Sequence, residues 1–288
     1  MSAPPQATTA VTGTAYWIAA ARARETARPD RLFSDPYAGA LAGERGRRLL
    51  EHAEAPTGRP NPFLPIRTRH LDDVLVAEAG SGRVAQVVLL GAGLDTRAFR
   101  LPLPDRLRLF ELDGDEVFAE KERILAGLGA RPRCRRRLVP SDLTGPWAAD
   151  LLAGGFFDAS LPTAWVAEGL LFYLPDRAVT ALLTRAAQLS APGSLIAADL
   201  FGTGLLRLPG MQATLARRAE SGLPPPFCSD EPEALFVAAG WRPERITHPG
   251  APDASYGRLG AGGRAAPSAG PGAPADATMR TYLVTARR

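Results

Sequence analysis

Apolar positions along the chain follow two different rhythms. In the first 80 residues they recur at helical spacing. Residues 13–27 predict a helix in which Tyr16, Ile18, Ala19 and Ala20 precede Arg22, Arg24 and Glu25. Asp35-Pro-Tyr37 predicts a turn into a second helix over 38–53, and the Pro-rich stretch 56–65 predicts a break. A third helix is expected over 66–78, with Leu71, Val74 and Leu75 on one face. The polar, Pro-containing residues 1–12 are expected to fray. From Val84 the rhythm changes. Val84–Leu90 is a nearly unbroken apolar run that ends in Gly91-Ala-Gly93. A run without alternation predicts a strand buried on both faces, as in a parallel sheet. Similar runs lie at 107–112, 137–139, 164–167 and 194–198, separated by helical stretches at 116–128, 147–152 and 177–189. Strand and helix alternate, which predicts an α/β fold on an open, doubly wound, mostly parallel sheet. Helices over 211–220 and 231–239 follow, then strands over 242–247 and 281–286. Residues 249–277, rich in Gly, Ala and Pro, read as a flexible loop. The organisation expected is an N-terminal helical cap, residues 1–80, and a core, residues 81–288, that carries a lid insertion at 201–240.

Composition leaves that picture in place. A chain of 288 residues, 45% hydrophobic and 22% charged, is not disordered and can bury a continuous core without staples. Two cysteines, Cys134 and Cys228, are too few for a disulfide scaffold or a four-cysteine zinc site, and no metal is expected. The opening residues lack a basic region followed by an apolar core, and no run approaches about 18 apolar residues. A cytoplasmic protein with no membrane segment is therefore expected. Of the 34 basic residues all but Lys121 are arginine. The densest cluster, Arg131-Pro-Arg-Cys-Arg-Arg-Arg137, lacks the interleaved aromatics that single-stranded nucleic acid would stack on. It reads as a solvated loop and strand edge, and no nucleic-acid partner is expected.

The chemistry gathers at strand ends. The run Val87-Val-Leu-Leu-Gly91-Ala-Gly93-Leu-Asp95-Thr96-Arg97 takes a buried strand into glycines, which let the backbone turn tightly and approach a ligand. This motif alone suits a nicotinamide dinucleotide or S-adenosylmethionine. Glu111 and Asp113 lie about 20 residues further on, where an acid at a strand end accepts hydrogen bonds from ribose hydroxyls. Asp142 follows the next strand and Glu168 the fourth. In open sheets ligands sit outside the carboxyl ends of the strands, so these segments should converge on one crevice. Acids there favour a cationic cofactor, and S-adenosylmethionine carries a sulfonium and an ammonium. A pyrophosphate loop would place Gly or Ala where Thr96 stands. A Tyr-x-x-x-Lys pair is also excluded, because position 117 is Val and Lys121 is the sole lysine.

With these motifs in order, the chain resembles the leucine carboxyl methyltransferase-like family of S-adenosylmethionine-dependent methyltransferases, and within it actinobacterial polyketide O-methyltransferases. The residues that carry the resemblance are Ala20-Ala-Arg-Ala-Arg-Glu-Thr with Asp35-Pro-Tyr-Ala, Ile66-Arg-Thr-Arg-His-Leu-Asp-Asp, the Gly91 loop, Glu111-Leu-Asp113 with Lys121, Ser141-Asp-Leu and Trp165-Val-Ala-Glu-Gly-Leu-Leu-Phe-Tyr-Leu. The resemblance implies a Rossmann-like methyltransferase sheet with a C-terminal antiparallel strand, and S-adenosyl-L-methionine as cofactor. It implies that Arg67 pairs with the methionyl carboxylate, with Arg69 the alternative in register. Gly91 and Gly93 would form the cofactor loop, Asp113 would bind ribose, Asp142 and Leu143 would flank adenine, and Glu168 would contact the cofactor. Arg22 or Arg24 would occupy the place of a basic residue near cofactor and acceptor.

Methyl transfer from a sulfonium needs proximity, orientation and exclusion of water more than a strong base. A carboxylate acceptor needs a cationic clamp, for which Arg22, Arg24 or Arg69 are available. A hydroxyl acceptor would call on a base. His52, His70 and His248 read as surface or packing residues, so no catalytic residue is assigned. Tyr16 and Tyr173 are candidates for the acceptor pocket, with Trp17, Phe63, Leu205 and Phe227 as apolar lining. The expected function is O-methylation of a small-molecule hydroxyl or carboxylate, with a protein or peptide carboxyl methyltransferase and a non-catalytic cofactor-binding module as alternatives. A nucleic-acid adenine methyltransferase would show Asn/Asp-Pro-Pro-aromatic after the fourth strand, where this chain has Glu168-Gly-Leu-Leu. The oligomeric state and the acceptor are not encoded in any of these motifs.

Overall fold

The two apolar rhythms become helical layers and a sheet between them. A computed structural model describes residues 5–220, 225–259 and 277–288. Its strands are β1 (Gln86–Leu90), β2 (Arg108–Asp113), β3 (Arg135–Pro140), β4 (Thr163–Ala167), β5 (Leu195–Phe201), β6 (Arg242–Thr247) and β7 (Thr281–Arg287). They form one sheet in the order β3-β2-β1-β4-β5-β7-β6. The first five are parallel, and β7 runs antiparallel to both β5 and β6. The chain winds outward from β1 to β3 and then returns to place β4 beside β1. The topological switch therefore lies between β1 and β4, which is where an open sheet holds its ligand.

Each central strand is buried on both sides, and its alternate residues feed two cores. Val87, Leu89, Leu109, Val166 and Ala197 pack under α1 (Pro5–Thr26), α2 (Ala38–Glu54) and α3 (Phe63–Gly80). Val88, Leu90, Phe110, Trp165, Ile196 and Val284 pack under α6 (Trp147–Ala153), α7 (Asp176–Gln188) and α9 (Pro232–Ala238). This double burial is why these strands read as apolar runs and not as alternating ones. The remaining helices are the single turn α4 (Arg97–Arg100), α5 (Asp115–Gly127) and α8 (Pro209–Glu220).

Three features depart from the expectations. Residues 5–12 continue α1 instead of fraying, with Pro5 at its first position, where a missing N–H costs nothing; residues 1–4 lie outside the described residues. The first part of the expected loop 249–277 is packed: Ala254 is fully buried with Ile66 and Leu283, and Arg258 bonds to Glu25 and to Asp30. Residues 260–276 lie outside the described residues. The basic cluster is also not solvated throughout. Arg136 turns its guanidinium inward and donates to both oxygens of Glu111 at 2.8 Å, because Glu111 occupies a fully buried position of β2 and needs positive charge beside it. Lys121 on α5, itself wholly buried, donates to the same carboxylate at 2.7 Å.

Candidate active site

The sheet delivers the predicted loop to the switch point. β1 ends at Leu90, and Gly91 follows with φ 65°. A side chain there would be strained, and its Cβ would meet Leu170 at 2.9 Å. Asp113, at the end of β2, reaches the same loop. Its Oδ2 accepts from the Gly93 N–H at 2.6 Å and its Oδ1 from the Gly114 N–H at 2.7 Å. Burial raises the Asp113 pKa, against the pull of those two N–H groups. Leu143 lies over the loop, within van der Waals reach of where a Gly91 Cβ would stand. Asp142 at the end of β3 is exposed, and its Oδ1 accepts from the Thr144 N–H at 2.8 Å and hydroxyl at 2.7 Å.

A knot of buried charge connects α3, α4 and the carboxyl ends of β4 and β5. Arg67 donates through Nε to Glu168 at 3.1 Å and through Nη1 to Asp199 at 3.1 Å. Thr68 donates its hydroxyl to Glu168 at 3.2 Å. Arg97 pairs with Glu168 at 2.6 Å, with Asp72 at 2.7 Å and with Asp95. Arg100 adds a second guanidinium to Asp72 at 2.6 Å. Burial alone would raise the Glu168 pKa, but Arg97 and Arg67 outweigh it and hold the carboxyl well below its usual range. Asp199 goes the other way, because its burial exceeds the help of Arg67 and the Gly169 N–H. Gly169 is what lets the knot close. At φ 60° its missing Cβ leaves room for Arg67, whose Nη1 a Cβ would meet at 2.9 Å. Four carboxylates, Asp72, Asp95, Glu168 and Asp199, share three guanidiniums, so the knot carries one negative charge in excess.

The paired arginines differ in where they point. Arg67 is buried, whereas Arg69, two residues on, points outward and pairs with Asp73 and the Leu32 carbonyl. Arg22 reaches the Gly91 loop, donating to the Leu94 carbonyl at 2.6 Å and to Asp35 at 2.8 Å, while Arg24 is spent on Glu54. Asp35 also takes the hydroxyl of Thr96 at 2.7 Å. That contact explains a hydroxyl residue where a dinucleotide loop carries Gly or Ala. Sequence reasoning missed Asp35, Asp72, Arg97 and Asp199 as site residues. For Asp199 a signal existed, since it interrupts the otherwise apolar β5 near its carboxyl end, as Glu168 does after β4.

Beside the knot stands an aromatic wall. The rings of Phe63 and Phe201 lie 6.1 Å apart, Phe201 and Phe172 4.9 Å, and Phe172 and Tyr173 5.3 Å. The Arg67 guanidinium sits 5.3 Å from the Phe63 ring. Tyr173 shares a side-chain hydrogen bond with Thr14 of α1, and burial raises its pKa. Tyr16 instead lies under Arg45, and Trp17 packs in the α1–α3 core. Phe227 is buried in the core on the other face of the sheet. Among the described residues no group of three or more His, Cys, Asp or Glu could hold a metal, and no helix is long and apolar enough to cross a membrane.

The residues fit a cofactor that carries both signs of charge. The excess negative charge suits its cationic centres, and Arg97 keeps a buried Nη2 without a partner among the described residues, a donor suited to a carboxylate. Comparison with known proteins agrees. The leucine carboxyl methyltransferase family model matches residues 15–187. A Streptomyces coelicolor protein provisionally named an S-adenosyl-L-methionine-dependent methyltransferase is 47% identical over 199 residues, 65% of this chain and 65% of its own. One from Parafrankia, with the same provisional name, is 47% identical over 190 residues, 64% of this chain and 60% of its own. The chain thus spans just under two thirds of the length of these two relatives. A Frankia alni relative of that name is 41% identical over 82% of this chain and 84% of its own. Among solved structures, a DUF574 family protein from Streptomyces avermitilis shares the fold with a TM-score of 0.62 at 17% identity, over 92% of this chain and 98% of its own. The chain belongs to the leucine carboxyl methyltransferase family of S-adenosylmethionine-dependent methyltransferases.

Proposed function

We propose that the protein transfers the methyl group of S-adenosylmethionine to an oxygen, hydroxyl or carboxylate, of a small organic molecule of secondary metabolism, such as a polyketide. The observation that carries this reading is the aromatic wall from Phe63 to Tyr173 beside Arg67. An apolar or aromatic acceptor stacks on such a wall, whereas a nucleic acid would also need a basic track leading to it. The dense arginine cluster sits instead at the start of β3, at the opposite edge of the sheet.

In this reading Gly91 and Gly93 line the cofactor loop, Asp113 binds the ribose, and Asp142 and Leu143 flank the adenine. Arg67 receives the methionyl carboxylate, and Glu168 faces the amino end. The cofactor supplies a methyl group on an already activated leaving group. The chain supplies position: Arg22 and Asp35 fix the loop from α1 and the α1–α2 turn, while Glu168 and Asp199 fix Arg67. Tyr173 is protonated near neutrality, as a phenol ordinarily is, with burial raising its pKa further, and it would donate a hydrogen bond to an acceptor oxygen.

Two substitutions test the assignments. Asp113→Ala should weaken cofactor binding by about 1.5–3 kcal/mol, measured by calorimetry, because a charged acceptor for ribose hydroxyls is lost. An unchanged affinity would remove Asp113 from the site. Arg67→Ala should raise the cofactor dissociation constant far more than Arg69→Ala, since Arg69 faces solvent. Equal small effects would reject the assignment of Arg67. The activity itself is tested with S-adenosylmethionine labelled in its methyl group, offered bulk tRNA, DNA, protein extract and small-molecule extract. Label is expected in the small-molecule fraction. Label in nucleic acid or protein alone would overturn the proposal.

A further inference from the structure

The connection from β6 to β7 leaves its own edge of the sheet and binds the helical layer. Ala254 is buried with Ile66 of α3, and the Tyr256 hydroxyl donates to Asp73 of α3 at 3.2 Å. Arg258 then reaches the end of α1 and the turn that joins α1 to α2, residues 27–37. Its guanidinium makes three bonds: to the Glu25 carboxylate, to the Asp30 carboxylate at 2.8 Å and to the Asp30 carbonyl at 2.6 Å. The Arg258 side chain is 10% exposed and that of Glu25 5%, so water screens this charge-assisted fork little. Arg28, the other cation paired with Glu25 among the described residues, stands 3.8 Å away and is 46% exposed.

The turn takes its shape from such clamps. Its backbone is held by side chains: the Leu32 N–H donates to Glu25 at 2.7 Å, the Leu32 carbonyl accepts from Arg69 at 2.5 Å, and the Asp30 carbonyl accepts from Arg258. The Glu25 oxygen that takes the Leu32 N–H is the one that takes Arg258, so one guanidinium fixes both the acid and what the acid holds. The turn in turn grips the Gly91 loop. Asp35, only 1% exposed, uses Oδ1 on the N–H groups of Tyr37 at 3.2 Å and Ala38 at 3.1 Å. Its Oδ2 takes Arg22 at 2.8 Å and the Thr96 hydroxyl at 2.7 Å. Phe33 adds a second contact, with the Arg100 guanidinium of α4 5.4 Å from its ring centre. From Arg258 to Thr96 the path is therefore Glu25, the backbone from Leu32 to Asp35, and the Asp35 carboxylate.

We propose that Arg258 is a positioning residue for cofactor binding: it sets the α1–α2 turn and, through Asp35 and Thr96, the loop from Gly91 to Arg97. The proposal rests on the reading of that loop as the cofactor site. Its test compares the full chain with Arg258→Gln, Arg258→Lys, Thr96→Val and the double variant Arg258→Gln/Thr96→Val. Arg287→Gln, which breaks ion pairs to Glu78 and Glu244, is the control. Hydrogen exchange read by mass on the cofactor-free proteins should quicken over 27–37 and over 91–97 in Arg258→Gln, and over neither in Arg287→Gln. Calorimetry with S-adenosylhomocysteine should show binding about fivefold weaker in Arg258→Gln and unchanged in Arg287→Gln. Arg258→Lys should fall between parent and Arg258→Gln, because an ammonium keeps the charge at Glu25 but loses the planar fork. In the Thr96→Val background Arg258→Gln should cost less than about twofold, because the link it acts through is already cut.

The proposal falls if exchange over 91–97 is unmoved in Arg258→Gln, if that variant binds like the parent, if Arg287→Gln weakens binding as much, or if the effects of Arg258→Gln and Thr96→Val multiply. Should Arg258→Gln not fold, Arg258→Lys carries the same comparisons. A parent that binds no S-adenosylhomocysteine overturns the reading of the loop and this proposal with it, whereas a binding parent with an unmoved variant overturns the proposal alone.

Discussion

Glu111→Ala is expected to lower stability by about 3–5 kcal/mol, the largest single-residue effect foreseen for this chain. Glu111 is completely buried and is the acid on which Lys121 depends, at 2.7 Å, with Arg136 at 2.8 Å on both oxygens. Arg136 retains Glu122 at 2.8 Å after the change, but Lys121, at 0% exposure, would keep an ammonium in the core with nothing opposite it. Removing one partner of a buried pair costs far more than removing both, because the remaining charge is neither solvated nor paired. Glu111→Leu combined with Lys121→Met should therefore recover much of the loss. Denaturant midpoints at constant slope give both values. A single-variant loss below about 1 kcal/mol, or a double variant no better than the single, would show that the pair contributes little.

The second large effect is expected on binding. Glu168→Gln should weaken S-adenosylmethionine binding on the order of 100-fold while the protein stays folded. Folding survives because Arg97 keeps Asp72 and Asp95, and Arg67 keeps Asp199. Binding suffers for two reasons. The excess negative charge that favours a cationic ligand disappears, and the single amide oxygen can serve Arg67 or Arg97 but not both. The amide keeps the shape and one acceptor, so the change isolates charge from packing. Calorimetry reads the affinity and circular dichroism the fold. A folded Glu168→Gln variant with parent affinity would mean that the knot only holds α3 against β4 and β5.

The same knot shows what can and cannot be read from a sequence. Glu168 was legible because a strand end is a position, and positions follow from the apolar runs. Asp113 and the Gly91 loop were legible for the same reason. The partners were not. Arg67 meets Asp199 across 132 residues and Glu168 across 101, and such pairings are decided by how α3 lies on the sheet. Arg97 sat inside the most conspicuous motif of the chain yet received no role, because its outward or inward direction depends on the one-turn α4, too short to show a period. The strand pattern was readable because seven strands in one sheet leave the central ones buried on both faces. The packed stretch 249–259 was unreadable because its anchors, Ala254 and Arg258, find partners on α1, α3 and β7, far away in sequence.

The burial of Lys121 has a practical corollary. An acylating ester that reacts with primary amines finds no ε-amino group on the folded surface, because the sole one in 288 residues is fully enclosed between α5 and β2. The positive face presented to the surroundings is guanidinium, which keeps its proton far above neutrality and forms no amide under such conditions. Side-chain acylation in the native state can thus proceed only when α5 lifts from the sheet. One tryptic peptide, followed by mass over time, becomes a clock for that opening.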